Sequence, residues 1–122
     1  MKKHILIVDD EASIRDLLDQ YLSGKGYRVT AVESAVEAQR VAVSDPPALL
    51  ISDLQLEDSD GLDMIDHLKS SMPATTPIIL LTGVLFDPQV VRETLSKKIT
   101  CYFQKTTPLT RILEEVRRLI GQ

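Results

Sequence analysis

Five side chains in this sequence stand where chemistry is done. Asp9 and Asp10 follow the apolar run Ile5-Leu6-Ile7-Val8, and Asp53 follows Leu49-Leu50-Ile51-Ser52. Thr82 follows Ile78-Ile79-Leu80-Leu81, and Lys105 lies just beyond Thr100-Cys101-Tyr102-Phe103. In an open α/β sheet the carboxyl ends of the strands are where ligands bind. Three carboxylates drawn into one crevice repel one another and raise each other's pKa. A hard divalent cation relieves that repulsion. Mg²⁺ takes oxygen ligands, keeps several waters, and is commonly held by one or two carboxylates together with phosphate oxygens. The set therefore predicts Mg²⁺ and a phosphoryl group at one site. Asp53 stands alone after its strand, which suits a carboxylate that accepts a phosphoryl group as an acyl phosphate. The paired Asp9 and Asp10 suit the metal. Lys105 supplies a flexible point charge, and the Thr82 hydroxyl a hydrogen bond to a phosphoryl oxygen. Each residue alone has a bland reading: a solvated strand end, a helix cap, a β-branched strand terminus, a surface charge. Their occurrence together, after four separate apolar runs, favours the chemical one.

The elements that must position them alternate along the chain. His4 to Val8 is a short continuous apolar run, as expected of a parallel strand buried on both faces. Ile14, Leu17, Leu18, Tyr21 and Leu22 then recur at helical spacing, and Gly24 and Gly26 end that helix. Tyr27 to Val32 is a less apolar strand, expected near an edge. Ser34-Ala35-Val36-Glu37 is a capping-box pattern. It opens a helix with Ala35, Ala38, Val41 and Ala42 inward, which Asp45-Pro46-Pro47 stops. Ala48 to Ser52 is the central strand. An acidic loop over residues 53–60 leads into a third helix from about Gly61 to Ser70, with Leu62, Ile65 and Leu68 inward. Pro77 to Thr82 is a fourth strand. Asp87-Pro88 is a helix start, with Asp87 as N-cap, and that helix runs to about Lys97. After the fifth strand, Pro108 opens a last helix with Leu109, Ile112, Leu113, Val116, Leu119 and Ile120 on one face. Five such units imply a doubly wound parallel sheet, (βα)5, for which the flavodoxin-like order 2-1-3-4-5 is the natural candidate.

Composition narrows the class. A chain of 122 residues, 43% hydrophobic and 26% charged, is expected to form one globular domain over residues 1–122. No apolar run approaches the length that spans a bilayer. The run behind Met1-Lys2-Lys3-His4 is too short for a signal-peptide core, so a cytoplasmic location is expected. One cysteine, Cys101, permits no internal disulfide and is expected to be a small strand residue rather than a redox centre. His4 and His67 have no cysteine near either, which argues against zinc; His67 is expected on an exposed helix face. The net charge of −4 is unevenly spread, with −8 over residues 1–66, zero over 67–96 and +4 over 97–122. Arg111, Arg117 and Arg118 read first as the solvated face of the last helix, and second as a docking surface for an acidic partner. An acidic chain with no basic stripe interleaved with aromatics does not point to nucleic acid.

These residues, in this order and spacing, resemble the receiver domain of two-component response regulators, of the chemotaxis-regulator kind. The resemblance runs from Ile5 to Ile120. It rests on Asp9-Asp10, Asp53, Thr82-Gly83, Lys105, and Tyr102 three residues before the lysine. It implies a phosphoprotein of signal transduction or phosphorelay rather than an enzyme, beyond self-phosphorylation and autodephosphorylation. A histidine kinase or histidine phosphotransfer protein would phosphorylate Asp53. Asp10, Asp53 and the backbone carbonyl of Gln55 would ligate Mg²⁺, with Asp9 acting through water. Thr82 and Tyr102 would reorient as switch residues, remodelling the face made by the helix expected at 87–97, the fifth strand and the last helix. That face would meet an output domain, a partner protein or a second copy of the chain.

The sequence also departs from the family pattern. Leu56-Glu57 stand where Met-Pro is usual, and Glu57 with Asp58 is expected to slow the approach of a phosphodonor. Thr106 replaces the proline that follows the lysine across a cis bond. A cis bond before a non-proline residue costs about 2.5–4 kcal/mol, so either a trans loop or a strained cis bond is expected. Lys97-Lys98-Ile99 replaces a glycine turn, placing Lys98 as a candidate for positive φ. These departures leave as the alternative a degenerate receiver that acts as a phosphorylation-independent interaction module. Two other classes fit less well. A dehalogenase-type phosphatase wants a second acid two residues after the nucleophile, where Gln55 stands. A flavin binder wants a phosphate cradle after the first strand, where the loop is acidic.

Overall fold

The computed structural model describes residues 2–54, 56, 58, 60–83, 87, 89 and 98–122. Within these, the chain forms β1 (His4–Val8), α1 (Ala12–Gly24), β2 (Arg28–Val32), α2 (Ala35–Ser44) and β3 (Leu49–Asp53). It continues with α3 (Gly61–Leu68), β4 (Ile78–Thr82), β5 (Cys101–Gln104) and a terminal helix α4 (Leu109–Ile120). The strands form one parallel sheet in the order β2-β1-β3-β4-β5, the expected doubly wound topology. Most of the helix expected at 87–97 lies outside the described residues. At its start the Gln89 amide donates to Asp87 Oδ1 at 2.7 Å, the contact expected of an N-cap.

Alternation within the strands divides the core into two layers. Ile5, Ile7, Leu49, Ile51, Ile79 and Leu81 pack with Leu18, Leu22, Ile112, Leu113 and Val116 on the side of α1 and α4. Leu6, Val8, Leu50 and Leu80 pack with Ala38, Ala42, Ile65 and Leu68 on the side of α2 and α3. All residues of β1, β3 and β4 are buried, whereas β2 is mostly half-buried or exposed at its sheet edge. Both findings match the hydrophobic pattern, because a strand covered on two faces has no polar side to alternate with.

Helix ends follow their local chemistry. Beyond α1, Tyr27 N donates to Leu22 O and Gly26 N to Ser23 O, at 3.3 and 3.2 Å. This closure needs a left-handed residue, and Gly26 supplies it with φ 98°. Ser34 Oγ accepts from Glu37 N at 3.2 Å as a capping box requires. The return bond goes to Glu33 N at 3.4 Å, one residue earlier than the motif predicts. Asp60 caps α3 through Leu62 N at 2.8 Å.

The structure corrects several expectations. Leu17 was placed on the inner face of α1 but is 49% exposed, because only Leu18 and Leu22 reach the sheet squarely. Met64 of α3 lies outside the inward set expected from spacing, yet it is 2% exposed in the core layer of α2 and α3. Lys98 does not take positive φ; among the described residues only glycines do. Its ammonium reaches Asp66 at 3.0 Å, and Thr100 N joins β4 by donating to Ile78 O at 2.8 Å, so residues 98–100 lead into β5 without a left-handed residue. No described peptide bond is cis, so the lysine loop takes the trans form of the two foreseen. The Cys101 thiol is pushed up to about 11, first by burial and then by the Glu115 charge. It is therefore protonated at neutral pH and a poor nucleophile.

Removing the Leu50 side chain, fully buried in the central strand, should cost about 2–5 kcal/mol. Urea unfolding of Leu50→Ala should show a lower midpoint with an unchanged slope. Leu17→Ala should lose well under half as much; an equal loss would contradict the half-exposed placement of Leu17.

Candidate functional site

Because β1 and β3 are neighbours, the segments that leave their carboxyl ends open into one crevice at the switch point of the sheet. Asp53 is the last residue of β3 and is 6% exposed; Asp9 follows β1 and is 2% exposed. Asp10 is half-buried and Glu11 exposed. Carboxylate oxygens of Asp9, Asp10, Glu11 and Asp53 all lie within 4.8 Å of one another. The sequence reading brought three of these together and missed Glu11 as a member. Its signal was present, as a third acid directly after Asp9-Asp10.

Lys105 enters the crevice from beyond β5. Its backbone amide donates to Thr82 O at 2.9 Å, which anchors the lysine segment to the end of β4. Its Nζ lies 2.5 Å from Glu11 Oε1, 3.0 Å from Asp53 Oδ2 and 3.3 Å from Asp9 Oδ2. Replacing proline with Thr106 thus leaves the lysine at the acids. Burial alone would lower the Lys105 pKa, but hydrogen bonds to Glu11 and Asp53 and the charges of Asp9 and Asp53 outweigh it and raise it. Asp9 is held in place by its backbone: its amide donates to Val32 O at 3.1 Å and its carbonyl accepts from Arg15 Nη1 at 2.7 Å. Its Oδ1 accepts from Glu11 N at 2.9 Å. The Asp9 pKa is raised, chiefly by burial; the Asp53 charge adds to this, while Glu11 N and Lys105 oppose it. Desolvation, more than the mutual repulsion foreseen from sequence, is what disfavours its charged form.

Thr82 ends β4 and is 1% exposed, one residue past Leu81, the register partner of Asp53. Tyr102 is half-buried in β5, opposite Leu80, and packs on the core layer of α2 and α3. Gln55 and Glu57 lie outside the described residues. His67 is exposed on α3 with Nδ1 against Asp63 O at 2.8 Å, as its sequence position suggested. The arginines of α4 are exposed but engaged: Arg118 pairs with Glu115, and Arg111 lies 5.4 Å from the Phe103 ring centroid.

Four oxygen donors on adjacent loops suit a hard cation. Asp9 Oδ2 adds to the fit: it is buried and, although near the Lys105 ammonium, accepts no hydrogen bond.

The fold and the site together define a doubly wound α/β domain with an acidic, lysine-bridged crevice at the switch point of its sheet. Residues 5–117 match the family described as response regulator receiver domain, and the chain belongs to that family. It is 30% identical to the response regulator MprA of Mycobacterium ulcerans, over 98% of this chain and 51% of that protein. It is 29% identical to the DNA-binding transcriptional regulator NtrC of Proteus hauseri, over 99% of this chain and 30% of that one. Among solved structures it resembles the BeF3-activated N-terminal receiver domain of Klebsiella pneumoniae RstA, with TM-score 0.85, 26% identity and coverage of 98% and 99%. It also resembles the chemotaxis response regulator CheY4 of Vibrio cholerae, with TM-score 0.86, 25% identity and the same coverage. The chain spans about half of the first of these two curated relatives, MprA, and under a third of the second, NtrC.

A raised Asp9 pKa means that the folded state binds this proton more tightly than the unfolded chain does. Ionisation of Asp9 therefore works against folding as pH rises above 3.8. Asp9→Asn should raise the urea midpoint at neutral pH in metal-free buffer. The gain should vanish below 3.8, where the wild-type carboxyl is itself protonated. A lower midpoint for the variant at neutral pH would contradict the assignment.

Proposed function

We propose that this chain is a phosphoacceptor switch in which Asp53 takes a phosphoryl group from a histidine kinase or a histidine phosphotransfer protein. The observation that carries the reading is the buried Asp53 carboxylate at the strand end, bridged by Lys105 to Asp9 and Glu11. In the proposed reaction an Asp53 carboxylate oxygen forms the new O–P bond as the donor's bond to phosphorus breaks, and the donor leaves with its electron pair. Positioning and charge neutralisation are the main needs of such a transfer. Lys105 would turn from the carboxylates to the phosphoryl oxygens, and Thr82 would donate its hydroxyl to one of them. Asp10, Asp53 and the Gln55 carbonyl would hold Mg²⁺, Asp9 would act through water, and Glu11 stands close enough to contribute. When bound, the ion would neutralise charge on the transferring group. Movement of Thr82 and Tyr102 would then alter the face around β5 and α4.

On this reading residues 1–122 are one receiver domain that signals rather than catalyses turnover of a substrate. It would act in the cytoplasm, and among the described residues no helix is long and apolar enough to cross a membrane. The β5–α4 face would meet an output domain, a partner protein or a second copy of the chain.

Intact mass after incubation with Mg²⁺ and a small acyl-phosphate donor tests the reading. The wild type should gain one phosphoryl group, chelation of Mg²⁺ should abolish the gain, and Asp53→Ala should show none. A wild type that gains nothing and binds no Mg²⁺ would overturn the reading in favour of an unphosphorylated interaction module.

A further inference from the structure

The loop that follows Asp53 is fastened at each of its described polar and apolar anchor points. Leu56 is 9% exposed and packs in the core layer of α2 and α3. Asp60 caps α3. Asp58 crosses to a different helix: its Oδ1 accepts from Ala35 N at 2.9 Å and its Oδ2 from Val36 N at 3.2 Å. With Ser34 Oγ on Glu37 N, the first three amides of α2 each have an acceptor, two of them from one distant side chain. An ordinary N-cap comes from the residue before the helix, and Ser34 fills that place. The Asp58 carboxylate therefore does something Ser34 does not: it joins the loop after Asp53 to the start of α2. Both of its oxygens are directed at the positive end of a helix, and these backbone bonds lower its pKa. Asp58 is not one of the four acids that converge in the crevice.

The same turn is tied to the other side of the crevice. Val32 O, just before it, accepts from Asp9 N at 3.1 Å. Residues 32–36 thus brace both segments that supply the acids, the one carrying Asp9-Asp10-Glu11 and the one leaving Asp53.

We propose that Asp58 is a positioning residue for the Mg²⁺ site: its two-pronged bond to Ala35 and Val36 fixes the loop after Asp53 relative to Asp9 and Asp10. The inference rests on the Mg²⁺ reading above and deepens it. Groups that orient ligands without touching the metal commonly govern its affinity.

The test is a Mg²⁺ titration followed by amide NMR, which reports affinity and fold together. Asp58→Ala should bind Mg²⁺ roughly tenfold more weakly than wild type, and Asp58→Asn, which keeps one acceptor oxygen, should recover part of the loss. Ala35→Pro removes one donor from the other side. Proline is tolerated at a first helical position, and Ser34, extended at φ −140° and ψ 161°, suits the residue before it. Ala35→Pro should weaken binding in the same direction, and Asp58→Ala should then add less than it does alone. Ser34→Ala is the control, because it removes a cap from the same helix end without touching the loop: it should lower thermal stability and leave Mg²⁺ affinity at the wild-type value. Should Asp58→Ala fail to fold, Ala35→Pro and Asp58→Asn decide. Wild-type affinity in these variants would overturn the inference and leave the Mg²⁺ reading standing. An equal loss in Ser34→Ala would assign the effect to the helix rather than the clamp, and would also overturn it. A wild type that binds no Mg²⁺ would overturn both.

Discussion

Two carboxylates are buried where the sheet changes direction, and one ammonium group answers them. Burial of Asp9 and Asp53 without compensation would cost several kcal/mol per ion. Lys105, with its side chain 15% exposed, stands within 3.3 Å of an oxygen from each and also reaches Glu11. The remainder of the fold can be understood as what this arrangement requires. Parallel strands bring their carboxyl ends to one edge. The order β2-β1-β3-β4-β5 sets β1 beside β3 and delivers Lys105 from the far side through its bond to Thr82.

On the proposed reading, the same interaction would let a stable domain act as a switch. A cation or a phosphoryl group in the crevice would compete for groups that already satisfy one another, so either ligand would redistribute the lysine. The apolar layers on both faces of the sheet are closed by Ile, Leu and Val side chains with almost no exposure. Closely packed cores resist continuous deformation. On the proposed reading, change would be expressed at β5, which is half-buried throughout.

Much of this was legible in the sequence because its signals are local and strongly periodic. Continuous apolar runs marked β1, β3 and β4, and the acids, threonine and lysine after the runs marked the crevice. The features that were missed depend on tertiary approach. Leu17 obeys the helical spacing of α1, but its position at the margin of the stripe is set by where the helix sits. Met64 falls between the inward positions of α3 and is buried in the core layer that α2 and α3 share. Glu11 reads as an exposed helix-start acid until Lys105 arrives from 94 residues away. Asp58 reads as one more charge in an acidic loop, since no spacing rule links it to amides 22 and 23 residues earlier. A trans bond before Thr106 was one of two outcomes the sequence left open.

The most direct test of the central claim is whether Lys105 and Mg²⁺ serve the same carboxylates. Urea unfolding of wild type and Lys105→Ala, each in metal-free buffer and at saturating Mg²⁺, measures their coupling. In metal-free buffer the variant should lose on the order of 3 kcal/mol, the low end for breaking a buried ion pair. At saturating Mg²⁺ the gap should narrow by about 1 kcal/mol or more, as expected of partners that share a site. An identical loss with and without Mg²⁺ would mean that lysine and cation act independently, and would contradict the account.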